Sequence, residues 1–488
     1  MLRPSSLIEP TKITPKPERI ASLDFQRGLA IWIMTFLHTF EHVYNYNWVK
    51  ENPEQIFSLP KIVIFIGLFV GFFASWNAYF LLISSVVNSL SMTKKAANGV
   101  PPKRILRKQL VTGFSILLIG YLDNCFGYAG YFGLSIRTGD WSNFYPMWSG
   151  FFAMYTLQII GFSMIINGII HYFLIRNGGH KKFRRNMLTY FFLALFIIIL
   201  SPFVHHWVDN MPWEPLKYLP PEIGLGDHQN WPSIHFQASN ASFKGWLMTL
   251  FAGDYEPLFP FLATSFAGSM VGLALAQPKP YRRLPLMGGV ISFGLMTLGV
   301  IFITAGFITL GNNRPALGNF LLMLGGQLGV IFLLLGLVEY RGRGEKFANR
   351  RIVKHLRLWG MISLSIYVLA IFDLFPRWCL SAIYNLIYSS NINLMQSSLF
   401  GYGKELQALG VAVFVIFTYE LLVYLWSKND FKYSFEWFVI QLQTLGSAIV
   451  SSRLNVDLII NQTHWINYKL KVSSPSELPT DKLLINDS

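Results

Sequence analysis

Residues 181–207 read KKFRRNMLTYFFLALFIIILSPFVHHW, in which a basic cluster leads directly into an apolar run without a charged side chain. About 20 consecutive apolar residues are enough for a helix to cross the hydrocarbon core of a bilayer. Lys and Arg accumulate in the cytoplasmic loops of membrane proteins. The stretch therefore predicts a transmembrane helix over 187–207 that enters the membrane from the cytoplasm.

The rest of the chain repeats this pattern. Hydrophobic residues make up 52% of the 488 positions and charged residues only 13%, against roughly a quarter charged in soluble domains. The candidate spans are 23–45, 62–90, 108–132, 147–175, 187–207, 256–276, 285–310, 316–339, 358–384 and 405–427. We therefore predict an all-α, polytopic transmembrane bundle of about ten helices. Such a chain is a multi-pass integral protein of the plasma membrane or an endomembrane, with the lipid bilayer as its solvent.

The loops between these spans alternate in charge. Basic residues are concentrated in 94–108, 176–185, 279–283 and 341–357, whereas the intervening loops contain few. The longest intervening segment, 208–243, has four acidic residues and one lysine. Because Lys and Arg are retained on the cytoplasmic side, this alternation predicts ten spans with both termini in the cytoplasm.

This topology divides the chain into three parts. Residues 1–22 are expected to form a cytoplasmic lead-in, and 23–427 a transmembrane domain with an external loop at 208–255. Residues 428–488 are expected to form a polar cytoplasmic tail. Within this tail, an amphipathic stretch at 435–449 is expected to lie at the membrane interface.

Composition argues against two other classes of function. The net charge of +15 comes from short basic runs between apolar segments and not from one basic face, so no nucleic-acid partner is predicted. Cys125 and Cys379, the two cysteines, lie in apolar surroundings, and no metal-ligand spacing occurs. The sequence therefore predicts no metal.

One face of the first predicted helix is polar along its length. At 100° per residue, six side chains share this face: Asp24, Arg27, His38, Glu41, His42 and Asn45. Ionisable groups inside a membrane cost about 2.5–3.5 kcal/mol each on insertion scales, so such residues mark functional sites. His38 and His42 are the candidate catalytic groups. Asp24 and Arg27 have an alternative role as a structural ion pair, and Glu41 and His42 one as solvated residues at a helix end.

Carboxylates on other predicted helices reach a similar depth. Asp123, Asp254 and Glu256 all lie on the external side when residues are counted along their helices. A carboxylate fixes the tautomer of a neighbouring imidazole and stabilises its charged form. Asp123 and Asp254 are therefore candidate partners of the catalytic histidine. The structural alternative for Asp123 is a buried hydrogen-bonding role with Asn124.

A motif in the first helix resembles the opening signature of membrane-embedded acyltransferases. The stretch 19–31, RIASLDFQRGLAI, is followed by His38, and Asp24, Arg27, Gly28 and His38 match the family spacing. The family comprises the heparan-α-glucosaminide N-acetyltransferase relatives and, more distantly, sugar O-acyltransferases with the same first-helix pattern.

Four later segments resemble family motifs in the same order. They are Thr156–Gly161, Asp254–Pro260 running into Gly268 and Gly272, Met361–Tyr367 and Phe435–Trp437. Two positions depart from the pattern. Val49 stands where the lysosomal branch has a proposed acetyl-relay histidine, and Ala370 stands where the late helix often has a histidine. Either His38 or His42 is then left to carry the chemistry, or the activity has changed.

The resemblance implies an enzyme that moves an acetyl or other acyl group from cytoplasmic acyl-CoA to an extracytoplasmic sugar or glycan. In that picture His38 or His42 acts as general base or transient acyl carrier, supported by Asp123 or Asp254. Donor and acceptor binding is assigned to six residues: Asp24, Arg27, Gln158, Glu256, Arg104 and Arg107. Arg104 and Arg107 are also explained as ordinary positive-inside residues.

The alternative function is a proton-coupled transporter or flippase of a small polar or lipid-linked substrate, in which the polar stripe relays protons. A purely structural scaffold would leave the stripe unexplained. Association of two copies into a homodimer stays open.

Overall fold

The structure, a computed structural model, describes most of the chain. The described residues are 18–45, 54, 61, 64, 78–214, 240–253, 255–307, 314–389, 391–444 and 454–473. Asp254 and Val49 lie outside the described residues, and so do most residues of the second predicted span before residue 78.

Almost all regular structure in the described residues is helical. The α-helices are α1 (Ala21–Val43), α2 (Tyr79–Ala97), α3 (Pro102–Phe126), α4 (Tyr131–Thr138), α5 (Tyr145–Phe151), α6 (Thr156–Ile175), α7 (Phe183–Asp209), α8 (Phe243–Ala252), α9 (Leu258–Leu275), α10 (Leu284–Thr304), α11 (Leu317–Leu337), α12 (Gly344–Ala348), α13 (Arg351–Met361), α14 (Ser363–Val368), α15 (Leu374–Tyr388), α16 (Glu405–Ser427), α17 (Phe435–Thr444), α18 (Val456–Asn461) and α19 (Tyr468–Ser473). Short 3-10 helices occupy Arg176–Lys181 and Leu369–Asp373. Two short strands, β1 (Glu18–Arg19) and β2 (His464–Trp465), pair in parallel.

Eight helical stretches in the described ranges are long and apolar enough to cross a bilayer. They are Pro102–Thr138, Tyr145–Lys181, Phe183–Asp209, Leu258–Leu275, Leu284–Thr304, Leu317–Leu337, Ser363–Tyr388 and Glu405–Ser427. Each overlaps one of the predicted spans. The prediction of an all-helical bundle of membrane type is thus confirmed at this coarse level.

The described residues of the predicted tail, 428–488, fold back onto the bundle. The hydroxyl of Tyr468, a buried residue, donates a hydrogen bond to Leu275 O at 3.0 Å. The carbonyl of Ile459, which is also buried, accepts a hydrogen bond from Arg357 Nη2 at 2.5 Å. Although the tail is polar on average, single buried residues such as Tyr468 and Ile459 therefore attach it to the bundle.

The predicted external loop at 208–255 is partly helical. Helix α8 begins after Ser242, whose Oγ accepts a hydrogen bond from Gly245 N at 3.0 Å, as helix-capping serines do. Met248 and Ala252, four residues apart on this helix, are buried. This part of the loop therefore packs through an apolar helix face.

The four basic clusters, 94–108, 176–185, 279–283 and 341–357, lie at one end of the bundle, called the basic end below. There Glu18 forms ion pairs with Lys94 at 2.9 Å and with Lys471 at 3.2 Å. Partial burial acts to raise the pKa of Glu18, but the two lysines leave it below its ordinary value. At the opposite end, Asn45 N donates a hydrogen bond to Phe400 O at 2.6 Å.

Helix α1 joins two hydrophobic cores. Ile20 and Leu23 belong to the core formed largely by α2, α6, α7, α9 and α11. Ile31 and Val43 belong to the core formed largely by α13, α14 and α16. The residues of α1 are therefore placed where the two halves of the bundle meet.

The Arg-Gly pair of the first-helix motif lies where α1 crosses α13. A Cβ added to Gly28 would lie 1.7 Å from Leu356 O, so only glycine allows this approach. Arg27 Nη2 donates a hydrogen bond to Gly360 O, which like Leu356 belongs to α13. Small residues allow two membrane helices to pack closely, and this crossing fixes the direction of α1.

Candidate functional site

His42 lies at the centre of the candidate site, in the last turn of α1. Its Nδ1 is 3.0 Å from Asp373 Oδ2, and its ring stacks on Tyr128 with 3.8 Å between centroids. The His42 side chain is 22% exposed and that of Asp373 only 3%. When Nδ1–H donates to the carboxylate, Nε2 carries the lone pair. The carboxylate therefore holds the imidazole in the tautomer and orientation that a general base requires.

A buried arginine fixes this carboxylate. Arg377 Nη1 donates hydrogen bonds to Asp373 Oδ2 at 3.1 Å and to Tyr128 Oη at 3.0 Å. The other guanidinium donors reach the backbone carbonyls of 394–396. Because the Arg377 side chain is completely buried, its charge depends on this pairing. The histidine group, as we call it, consists of His42, Asp373, Arg377, Tyr128 and Thr39, whose hydroxyl donates to Asp373 Oδ1 at 3.3 Å.

A break in the late span brings Asp373 beside α1. The sequence predicts one helix over 358–384, but the structure divides it into α13, α14, the 3-10 helix Leu369–Asp373 and α15. Pro376 lies in the first turn of α15, where proline is tolerated because the first helical N–H groups have no intrahelical partner. Asp373 ends the 3-10 helix and directly precedes α15.

His38 lies one turn before His42 in a more open setting. Its side chain is 55% exposed, and its Nδ1 is 3.3 Å from Glu41 Oε2, itself 40% exposed. The two imidazole rings stack with 6.2 Å between centroids. His42 has the buried carboxylate partner and His38 an exposed one. Of the two histidines that the sequence left open, the geometry favours His42.

The carboxylate beside His42 is Asp373 and not the predicted partner Asp123. Asp123, near the end of α3, is half-buried and belongs to a second cluster. Asp254 lies outside the described residues. Asp123 lies near the end of α3 that is remote from the basic end, but its neighbours are not those that the sequence predicted.

A second cluster, the carboxylate group, contains residues from four separate segments. It consists of Asp123, Thr156, Gln158, Glu256 and Tyr367. Tyr367 on α14 lies within electrostatic reach of both Asp123 and Glu256, and the Thr156 hydroxyl approaches Glu256 and Tyr367. Residues singled out in three of the later motifs therefore meet in space.

Two members of the carboxylate group are buried with unused polar atoms. Glu256 is 2% exposed; the Thr156 hydroxyl approaches its carboxylate, but neither oxygen has a partner with full hydrogen-bond geometry within the described part of the chain. Gln158 is fully buried: its Oε1 accepts a hydrogen bond from Tyr155 N at 3.3 Å, whereas its Nε2 has no partner there. Leaving such groups unpaired costs about 1–3 kcal/mol each. This cost is consistent with a polar ligand at the group.

The charged residues near the start of α1 have structural contacts. Asp24 pairs with Arg19, at 2.9 Å between Oδ2 and Nε, and Arg27 donates to the carbonyl of Gly360. These contacts favour the structural alternative for Asp24 and Arg27. Arg104 and Arg107 are exposed near the start of α3, at the basic end.

The sequence interpretation missed Tyr128 and Thr39 of the histidine group, and also its two charged members, Asp373 and Arg377. Both lie inside the predicted span 358–384, four residues apart, so a helix would place them on one face. Ionisable residues within a membrane helix indicate a functional site together with their partner. Applying that rule to the span 358–384 as well would have found them.

Comparison of the chain with protein-family models and with curated proteins gives no match. The histidine group and the carboxylate group are therefore the structural features from which a function can be inferred.

Proposed function

We propose that the chain is a multi-pass membrane acyltransferase, which moves an acyl group from an acyl-CoA to a hydroxyl or amine of a sugar or glycan. The observation that carries this proposal is the 3.0 Å contact between His42 Nδ1 and Asp373 Oδ2. Enzymes use an imidazole held by a buried carboxylate for general base catalysis. The ordered sequence motifs support the same class of reaction.

His42 would act through its Nε2 atom. Nε2 takes the proton of the acceptor O–H or N–H while that oxygen or nitrogen attacks the carbonyl carbon of the thioester. The new C–O or C–N bond forms and the C–S bond breaks, with its electron pair leaving on the thiolate. The imidazolium, stabilised by Asp373, then returns its proton to the thiolate. The products are the acylated acceptor and CoA, and His42 is neutral again.

The carboxylate group would recognise the acceptor. An ionised carboxylate only accepts hydrogen bonds, whereas an amide nitrogen only donates them. Glu256 would therefore accept from a substrate hydroxyl or amine, and Gln158 Nε2 would donate to a substrate oxygen. Pairing these buried atoms with the acceptor would recover the cost of leaving them unpaired.

The orientation follows from the positive-inside rule. With ten spans and both termini in the cytoplasm, the basic end faces the cytoplasm. The histidine group then lies toward the external side, where a glycan acceptor is found, and the acyl-CoA approaches from the basic end.

A proton-coupled transporter is the second candidate, and one observation favours it. A buried network of hydrogen bonds joins Ser85 Oγ to Ser265 Oγ at 2.7 Å, with Asn167 donating to Ser265. Nearer the basic end, Thr93 Oγ1 is 3.3 Å from Nε2 of the buried His171. Chains of buried polar groups across a membrane protein can relay protons.

Binding of acetyl-CoA to the purified protein separates these candidates. A ligand that binds the native state raises its apparent melting temperature. We expect the melting temperature of the detergent-purified protein to rise saturably with acetyl-CoA. Desulfo-CoA, which lacks the reactive thiol, is measured beside it as a probe of binding alone. The absence of a rise with acetyl-CoA and longer acyl-CoAs, in protein that melts cooperatively, would remove the acyltransferase proposal. Uptake driven by a proton gradient in proteoliposomes would then support the transporter.

A further inference from the structure

A groove of about 720 Å³ opens on the outer surface of the bundle near the basic end. Lys103 and Arg107, in the first two turns of α3, line one part of it, and Leu106, Leu110 and Phe114 continue along the same helix. The groove thus has cations toward one end and an apolar floor. The described residues that line it include no acidic side chain.

The wall opposite α3 is held in place at both of its ends. Leu442 of α17 lines the groove. At the start of α17, Glu436 Oε1 accepts a hydrogen bond from Leu364 N at 2.6 Å. Near its end, Gln443 Nε2 donates to Thr112 Oγ1 of α3, also at 2.6 Å. The groove is therefore built by an anchored helix.

The dimensions of the groove match one leaflet of a bilayer. Lys103 and Phe114 are separated by a rise of about 16 Å at 1.5 Å per residue, close to half of the roughly 30 Å hydrocarbon core. Tyr172 of α6 lines the same groove, and Arg176 lies over its ring at 5.4 Å from the centroid. A third cation therefore lies close to the charged end.

We propose that this groove binds one anionic phospholipid of the leaflet at the basic end. The phosphate lies between Lys103 and Arg107, and an acyl chain follows Leu110 toward Phe114. Each basic residue at a membrane surface contributes about 1 kcal/mol to the attraction of anionic lipid, or about a fivefold preference. The groove therefore prefers an anionic to a zwitterionic lipid of the same chain length.

The test uses the full-length, detergent-purified protein and two photoreactive lipids with the same acyl chains. One is phosphatidylglycerol and the other phosphatidylcholine, each with its reactive group midway along a chain. We expect phosphatidylglycerol to be captured preferentially and to label peptides containing Leu110, Phe114 or Leu442. Replacing Lys103 and Arg107 by alanine together should lower its capture by about 25-fold, fivefold per cation.

Two matched variants separate the groove from the general surface charge. Arg104→Ala combined with Arg184→Ala removes the same charge from the basic end but leaves the described lining of the groove intact, and should change capture by less than about threefold. Leu110→Trp fills the groove and should reduce capture while leaving the charge unchanged. Each variant is first shown to melt as the wild type does.

Three results would overturn the proposal. The first is equal loss of capture in the control pair and in the Lys103/Arg107 pair, because surface charge alone would then explain binding. The second is labelling spread evenly over lipid-facing helices such as α7 and α10. The third is complete displacement of the lipid by acetyl-CoA, which would assign Arg107 and the groove to the acyl donor.

Discussion

Replacing Gly28 by alanine tests the crossing of α1 and α13 that positions His42. The added Cβ would lie 1.7 Å from Leu356 O and 2.5 Å from Leu356 C, and both are backbone atoms that cannot rotate away. Favourable carbon contacts are about 3.5–4.0 Å, so the two helices must separate by roughly 1.5 Å or more. Overpacking of this kind costs about 1–3 kcal/mol, and the rigid backbone puts Gly28→Ala at the upper end.

The assay is thermal unfolding in detergent of Gly28→Ala beside two matched substitutions. Gly294→Ala on α10 and Gly410→Ala on α16 are also helical, and within the described part of the chain a Cβ added at either position meets no atom within 4 Å apart from the adjacent backbone of its own helix. Alanine is favoured over glycine in a helix by about 1 kcal/mol, so these two controls should melt at or above the wild-type temperature. Gly28→Ala should melt clearly below it. A Gly28→Ala protein as stable as the controls would refute the described crossing.

Three further predictions concern buried charges. Burial raises the pKa of Glu339 to about 7, although Ser22 donates two hydrogen bonds to it. Because the unfolded state loses this proton first as the pH rises, the free energy of unfolding should fall by roughly 3 kcal/mol between about pH 4.5 and pH 7. Unfolding of Glu339→Gln across the same pH range should lack this fall, and an unchanged dependence on pH would contradict the prediction. Glu436→Ala removes the carboxylate that accepts from the first N–H groups of α14 and should cost about 1–2 kcal/mol in chemical unfolding, whereas a wild-type midpoint would count against this cap. Asp373→Asn leaves buried Arg377 without its ion partner and should cost about 3–5 kcal/mol; a mutant that melts at the wild-type temperature would show that the pair is not needed.

The long apolar helices could be predicted from the sequence because a single property, a long run of mostly apolar residues, is enough to specify them. The span 405–427 coincides with α16, Glu405–Ser427, since a predominantly apolar run, here interrupted by Glu420, is stable in lipid as a helix. The span 358–384 could not be predicted in this way. There the helix is interrupted at Ile362 and Leu369, and the polar contacts of Asp373 and Arg377 that follow come from α1 and from the loop at 394–396.

The sequence could not decide between His38 and His42 as the catalytic residue. The two lie four residues apart and therefore on the same helix face, so helical periodicity cannot distinguish them. The difference comes from Asp373, which is 331 residues from His42 in sequence. The role of Gly28 also depends on a distant part of the chain. Its motif can be recognised in the sequence, but the need for glycine comes from the close approach of α13.

The most direct test of the central claim is acyl transfer by two histidine variants. Purified wild type, His42→Gln and His38→Gln would be incubated with radiolabelled acetyl-CoA and a mixture of sugar and glycan acceptors, and the labelled acceptor counted. We expect the rate of His42→Gln to fall about 10²–10⁴-fold below wild type, while His38→Gln keeps a rate within a few-fold of wild type. A His42→Gln protein that transfers acetyl at the wild-type rate would contradict the role of His42 as general base.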